Sequence, residues 1–390
     1  DLAAMKEAGL AGINLFNAAP SVPPGPVRFL SPEWKRMMRL VGDEAQRNDL
    51  SMIMLDCAGW SGSGGPWIDV EDSMQMLVWS ETTADGGQTG RIQLPPPPQL
   101  AEHYGDIAVL AFPFAAEPEL PTPRWTSNVS GLNGNALLDL DVTTKVDLPA
   151  PGDDQWVRLD YDHPVTVSGF TFTTGLPARA GQAWIMLDAL QSDGTWQEVG
   201  RMDAGVWHTQ LFPTTSATCV TTTAASWRIR WGAGEVPALR VTPPISVADI
   251  TLDAAPRIHD WEFRTGNARR WGHDGGWRET PPGAYESVPA SAVVPLESIV
   301  DLTAHLQADG QLDWTPPPGH WTILRIGHTT NGARVSPAPA GGEGWEPDTL
   351  DPSGHGLDET FANYIDPLLG PDGASLRGKV ANWIDRKSVV

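Results

Sequence analysis

The stretch "LSMIMLDCAGWSGSGGPW", residues 50–67, runs from an uninterrupted apolar segment into a loop holding four glycines and two tryptophans. The segment "LSMIMLDC" is too short for a helix of the usual length and reads as a buried strand. About forty residues upstream, "AGINLFNA" reads as a second strand. Between the two, Ser31-Pro32 places an N-cap residue and an N1 proline in the preferred order, and Trp34, Met37, Met38 and Val41 follow as an apolar stripe at helical spacing. Ahead of them "DLAAMKEAGL" reads as a short helix capped by Asp1 and ended by Gly9. Strand, helix and strand at this spacing make a parallel βαβ unit, because parallel strands need a long crossover. After the loop, Asp69 or Asp72 is expected to cap a third helix with Val70, Met74, Leu77 and Val78 on its apolar face. A (β/α)8 barrel is the leading fold for this part, with a doubly wound sheet as the alternative.

The texture changes after residue 88. "PPPP" at 95–98 stiffens a connector and "DIAVLAFPF" reads as one more buried strand. From Trp125 to Asp253, helical periodicity gives way to short alternating runs such as "QWVRLDY", "AWIMLDAL" and "SWRIRW", separated by Gly, Asp and Pro. That is an antiparallel sandwich pattern, with Asp193-Gly194 at a hairpin turn. Farther on, Asp309-Gly310 marks another turn, Trp321 to Gly327 a buried strand, and "DPSGHGLDETFANYIDPLLG" a helix with Leu357, Phe361, Tyr364 and Ile365 on one face. The expected organisation is α/β plus all-β: a partial (β/α)8 barrel interrupted by a β-sandwich. Its parts are residues 1–120 in the barrel, 121–255 in the sandwich, and 256–390 as a β-rich connection returning to the barrel.

Composition narrows the function. With 48 acidic against 26 basic residues the net charge is −22, so nucleic acid is disfavoured as a partner. Eighteen Trp against four Tyr supply flat apolar faces, each with one N–H donor, which suits sugars as well as core packing. No apolar run is long enough to span a bilayer, so no membrane insertion is expected. Cys57 and Cys219 lie too far apart in the sequence to argue a disulfide or a CxxC metal site. Asp1 opens directly into a helical pattern without a leader segment, and both ends read as the middle of a longer polypeptide.

The Gly/Trp loop lacks the lysine and spacing of a phosphate cradle. In a (β/α) barrel, ligands meet the C-terminal ends of the strands, where Asn17, Asp56 and His328 fall. Glycines would let the backbone approach a ligand, and Trp60 and Trp67 would either stack on it or plug the barrel mouth. Asn17, Asp56, Trp60, Ser61, Ser63, Trp67 and His328 are therefore the candidate substrate-binding residues. Glu346 and Asp348 are candidate oxygen ligands for a hard cation, or a solvated acidic loop. His328 has no histidine partner at ligand spacing in the sequence, which argues against a transition metal.

"LLDLDVTT", "WVRLDYDHPVTVSGFTFTT", "SDGTWQEV" and "WRIRW" together resemble the discoidin-like galactose-binding sandwich, in which some members bind sugars and many only pack against a catalytic domain. "GPVRFLSPEW", "DCAGWSGSGGPWIDVEDSMQMLVWSE", "VDLTAHLQADGQLDWTPPPGHWTILRIGHTTNG" and "PAPAGGEGWEPDTLDPSG" resemble the family 106 glycoside hydrolases, the α-L-rhamnosidases. The resemblance implies a secreted or periplasmic enzyme that hydrolyses terminal α-L-rhamnosides with inversion and uses calcium. It also implies that the general acid and the general base lie beyond Val390, so that this sequence holds no catalytic carboxylate, only part of a sugar subsite. The missing N- and C-terminal parts of the same polypeptide would complete it. Two departures bear on substrate contacts: Asp56 stands where the family pattern has an amide, and Asp348-Thr349 where it has an acidic-Lys pair. Two other readings stay open: a non-catalytic carbohydrate-binding protein whose sandwich carries the ligand, and a related glycosidase with another sugar preference.

Overall fold

The computed structural model describes residues 1–18, 23, 25–55, 58–59, 64–87, 90–113, 120–139, 141, 144–149, 155–174, 183–203, 206–208, 214–233, 245–264, 268–270, 293–348, 351–369, 376 and 379–384. In chain order the elements begin with α1 (Leu2–Glu7), β1 (Gly12–Leu15), α2 (Pro32–Arg47), β2 (Ser51–Leu55), β3 (Gln75–Asp85), β4 (Ile92–Gln93) and β5 (Gly105–Pro113). The central run is β6 (Arg124–Ser127), β7 (Val146–Leu148), β8 (Trp156–Thr174), β9 (Ala183–Leu190), β10 (Trp196–Asp203), β11 (Val206–His208), β12 (Thr214–Ala233) and β13 (Ile245–Asp253). Then follow α3 (Trp261–Arg264), β14 (Ala268–Arg270), β15 (Val300–Asp301), β16 (Gln311–Leu312), β17 (His320–Thr330), α4 (His355–Thr360), α5 (Asp366–Leu369) and β18 (Val380–Ile384). The chain is β-rich with few helices, and it divides into two compact units. No helix among the described residues is long and apolar enough to cross a membrane.

The first unit comprises residues 1–76, 99–105 and 328–390. Its sheet is parallel, in the order β1-β2-β18, with Ile13 opposite Met52 and Trp383 opposite Met54. The helix expected from Ser31-Pro32 is α2, and the Ser31 hydroxyl accepts from the Trp34 amide at 3.2 Å, which satisfies one of the orphan donors of its first turn. Trp34, Met38, Val41 and Ala45 carry the α2 stripe into a core with Met52, Met54, Phe29, Tyr364, Ile365 and Leu368. Residues 355–369 are helical throughout as expected, but a π-type turn over Phe361–Ile365 shifts the phase. Tyr364 and Ile365 are therefore buried while Phe361, expected on the same face, is exposed.

The third helix expected after the Gly/Trp loop does not form. Val70–Asp72 is a single 3-10 turn and Gln75–Asp85 is the strand β3, with Val78 and Ala84 buried. The run "QMLVWSETT" is rich in β-branched and aromatic residues, and pairing in a sheet outweighs the i, i+4 spacing that suggested a helix.

The second unit comprises residues 77–98 and 106–327. Its larger sheet is antiparallel, in the order β10-β9-β12-β8-β13-β7 with β6 also on β8. Alternation builds it: on β12, Trp227, Ile229 and Trp231 are buried in the core with Leu159, Phe170, Phe172 and Leu187, while Arg228 and Arg230 face the other way. Register shifts on β12 between Thr218 and Thr222 and between Ala224 and Ser226 allow the two long strands β8 and β12 to bend. The expected turn at Asp193-Gly194 links β9 and β10, with Gly194 at φ +83°. A second sheet, in the order β15-β5-β17-β3, surrounds the buried Val109, Ala111, Leu302, Leu312 and Ile323.

One buried carboxyl sits beside β12 of the larger sheet. Glu262 is 1% exposed and accepts from the Ser216 amide at 3.1 Å and the Ser216 hydroxyl at 2.7 Å. Burial raises its pKa above the ordinary carboxylate value, against the hydrogen bonds from Ser216, and the neighbouring Asp260 raises it further. A raised folded-state pKa means that the proton is held more tightly in the folded form. The contribution is full at pH below the unfolded value near 4.5 and is lost as pH rises through the folded value. Glu262→Gln keeps an oxygen for the Ser216 amide, so it should preserve the fold and remove this fall, with stability relative to the parent rising as pH increases through the carboxylate range. Unchanged slope in urea melts between about pH 4 and 7 would contradict this linkage.

Candidate active-site wall

The C-terminal ends of β1 and β2 are tied together by one side chain from the 355–369 helix. The Tyr364 hydroxyl donates to the Leu55 carbonyl at 2.8 Å and accepts from Asn17 Nδ2 at 3.2 Å. The Asn17 carbonyl in turn accepts from the Gly59 amide at 2.8 Å, which anchors the start of the Gly/Trp loop to the end of β1. Asn17 is thus brought to the neck of that loop. Asp56, Trp60, Ser61 and Ser63 lie outside the described residues.

The described glycines of the loop are there for packing against residues 334–347. A Cβ on Gly64 would sit 2.3 Å from the Trp345 carbonyl oxygen, and one on Gly344 would sit 1.9 Å from the Gly65 carbonyl oxygen. The Gly65 amide donates across to the Trp345 carbonyl at 3.1 Å, and within the second segment the Val335 amide donates to the Gly344 carbonyl at 3.1 Å. Trp67 closes over Gly65, whose Cβ would lie 2.4 Å from the indole. The indole stacks on Tyr364 at 5.9 Å and 14°, and its N–H donates to Thr360 Oγ1 at 3.1 Å. The one donor of Trp67 is therefore already used. On the other segment, the Arg334 guanidinium lies 3.6 Å over the Trp345 ring.

His328, at the end of β17, has the histidine neighbour that the sequence spacing hides. Gln75 Nε2 donates to the Ser73 carbonyl at 2.7 Å, which leaves Gln75 Oε1 as an acceptor. Both His328 Nδ1 and His103 Nε2 lie 3.1 Å from that oxygen, so each ring donates there and each tautomer is set. The rings meet edge to face at 5.7 Å. His328 Nε2 is tucked against Gly105, where a Cβ would come within 2.4 Å of it. Gln75 and His103 were not singled out in the sequence, because Gln75 was assigned to a helix and His103 is distant in the chain.

Backbone hydrogen bonds run from this cluster to the acidic pair. The Asn331 amide donates to the Met74 carbonyl at 2.8 Å, the Met74 amide to the Glu346 carbonyl at 2.9 Å, and the Asp348 amide to the Asp72 carbonyl at 2.8 Å. Asp72 Oδ2 is 2.9 Å from His355 Nδ1, and that hydrogen bond and charge raise the pKa of His355. Glu346 is buried and Asp348 is half-buried. Both offer hard oxygen donors, but no three His, Cys, Asp or Glu residues converge on a common point among the described residues. Calcium takes six to eight oxygens, so these two side chains would be only part of its shell.

A family profile described as alpha-L-rhamnosidase matches residues 1–384. The solved rhamnosidase from Novosphingobium sp. PP1Y is 29% identical, with a TM-score of 0.69 over 98% of this chain and 35% of its own. A Formosa agariphila protein carrying the provisional name beta-glucuronidase is 26% identical over 98% of this chain and 20% of its own length. The chain thus spans about a fifth of the one relative and about a third of the other.

Proposed function

The chain belongs to glycoside hydrolase family 106, and on that premise we propose that it is part of an inverting glycosidase that releases terminal α-L-rhamnose from plant or microbial polysaccharides or glycosides. The observation that carries this reading is the match along nearly the whole chain to a rhamnosidase in both sequence and structure. In this reading β1, β2 and β18 are three adjacent strands of a (β/α)8 barrel, and the Tyr364-tied strand ends form one wall of the sugar site. Asn17 would meet a sugar hydroxyl, with Asp56, Trp60, Ser61, Ser63 and His328 around the same ring.

Inversion needs one carboxylic acid to protonate the leaving oxygen and a second carboxylate to deprotonate a water on the opposite face, roughly 6.5–9.5 Å apart. Both are assigned to parts of the polypeptide outside these 390 residues, in keeping with the share of its relatives that the chain spans. Glu346 and Asp348 would contribute oxygens to a structural calcium ion. The enzyme would act in the periplasm or outside the cell, where polymeric glycosides are met.

The test is the full-length gene product on aryl α-L-rhamnosides, with the anomer of the first-formed sugar followed by NMR. Release of β-L-rhamnose is expected. A chelator should lower both the activity and the melting temperature, and calcium should restore both. The relative's name favours a second reading, a glucuronidase, and an aryl β-D-glucuronide is the discriminating substrate. Turnover of the glucuronide alone would replace the rhamnosidase reading. Turnover of neither, with sugar binding by residues 120–255, would favour a non-catalytic binding protein.

A further inference from the structure

We propose that the outward face of the seven-stranded sheet, around Trp196, binds a neutral glycan chain; this rests on the glycosidase reading only in taking the occupant to be the enzyme's polymeric substrate. Three rows of side chains cross that face in register. At one end Trp196 pairs Leu190, and Ser226, Asp160 and Arg124 pair in line; Glu198, Asp188, Arg228, Arg158 and Thr126 make the second row. Arg201, Met186, Arg230 and Trp156 make the third. Their strand neighbours Trp227, Ile229, Leu187, Ala189, Val157 and Leu159 are all in the core, so alternation places these three rows on the outside.

The middle of the face is a lattice of donors and acceptors. Asp188, whose side chain is 2% exposed, accepts from Arg228 at 2.7 Å and from Arg230 at 2.6 Å. Arg230 also reaches Glu198 at 3.2 Å, and Arg158 bonds Asp160 at 2.8 Å and Ser226 Oγ at 3.2 Å. Trp196 lies across this row, with the Arg228 guanidinium 4.7 Å and the Arg158 guanidinium 5.6 Å from its ring centroid. The two cations hold the indole in place, and it remains partly exposed.

Charge selects the occupant. The face carries five arginines (124, 158, 201, 228, 230) and four acids (160, 162, 188, 198), nearly balanced in a chain whose net charge is −22. An anionic polymer would gain little from arginines already paired, and a cationic one would find more acid elsewhere on the chain. A polyhydroxylated neutral chain fits: its hydroxyls accept from guanidinium and donate to carboxylate, and the apolar face of a sugar ring stacks on the indole.

Binding of soluble α-L-rhamnan oligosaccharides to this chain and to the full-length enzyme can be followed by thermophoresis, with a neutral galactan and polygalacturonate as further probes. We expect binding to a neutral glycan that is unchanged between about 50 and 500 mM NaCl. Trp196→Ala should weaken it about tenfold, the scale of one lost aromatic contact. Hydrogen exchange on the unmodified protein should show protection by the glycan on β9, β10 and β12, which keeps the proposal testable if a variant misfolds. Failure to bind either neutral polymer, binding unaffected by Trp196→Ala, protection confined to other segments, or binding to polygalacturonate alone that disappears in salt would each overturn it. Neutral-glycan binding by an enzyme that does not cleave rhamnosides would leave this face standing and remove the rhamnosidase reading; cleavage without such binding would do the reverse.

Discussion

Gly344→Ala should destabilise the first unit by about 3 kcal/mol or more, at or above the upper end for overpacking a tight site. The new methyl would lie 1.9 Å from the Gly65 carbonyl oxygen, 2.0 Å from its carbon and 2.5 Å from the Pro66 nitrogen. All three are backbone atoms held by the Gly65–Trp345 bridge, so no rotamer change relieves the clash. The two segments must part, and with them go the packing of Trp67 on Gly65 and the Arg334–Trp345 contact. Gly354→Ala is the control. Gly354 has φ +69° but open space around its Cβ, so its cost is only the backbone penalty of about 1 kcal/mol. Urea melts of both variants measure the difference. Equal midpoints would mean that the 58–68 and 334–347 segments do not hold each other.

Tyr364→Ala should cost about 3–5 kcal/mol, the range for deleting a large buried aromatic. Tyr364 is fully buried and contacts Phe29 at 5.6 Å, Trp34 at 6.3 Å and Trp67 at 5.9 Å. Tyr364→Phe isolates the hydroxyl. It should cost about 1–3 kcal/mol, because the Leu55 carbonyl loses its 2.8 Å donor and Asn17 Nδ2 loses its acceptor. On the proposed rhamnosidase reading, the Phe variant of the full-length protein should raise KM for a rhamnoside more than it lowers kcat, since Asn17 would lose its orientation while the proposed proton-transfer groups would not be touched. A Phe variant with unaltered stability and KM would remove Tyr364 from the wall of the site.

Much of the local structure was legible. Ser31-Pro32 starts α2, Asp193-Gly194 turns between β9 and β10, and Asp309-Gly310 turns with Gly310 at φ +80°. Each signal acts within a few residues: a hydroxyl caps the amide three positions on, or a glycine supplies a positive φ. The error at Gln75–Asp85 has the opposite cause. Its partner strand comes from a distant part of the chain, and its spacing satisfied a helix template as well as a strand one.

Of the candidate site, the sequence singled out Asn17, Trp67 and His328 by type and by position at strand ends or in the loop, and it was blind to their partners. Tyr364 reaches Leu55 across 309 positions, Trp67 reaches Thr360 across 293, and His328 shares Gln75 across 253. The described loop glycines Gly59 and Gly64 pack against Val335 and Trp345, and Thr360 takes the one donor of Trp67. Alone, then, the sequence determined strand and helix identity where short-range geometry governs, the alternation of the larger sheet and the family. The tertiary structure decided which side chains share a hydrogen bond, which glycines face backbone, and that β18 lies beside β2. The physical reason is that these depend on chain segments brought together only when the apolar core closes, and no periodicity within either segment encodes the other.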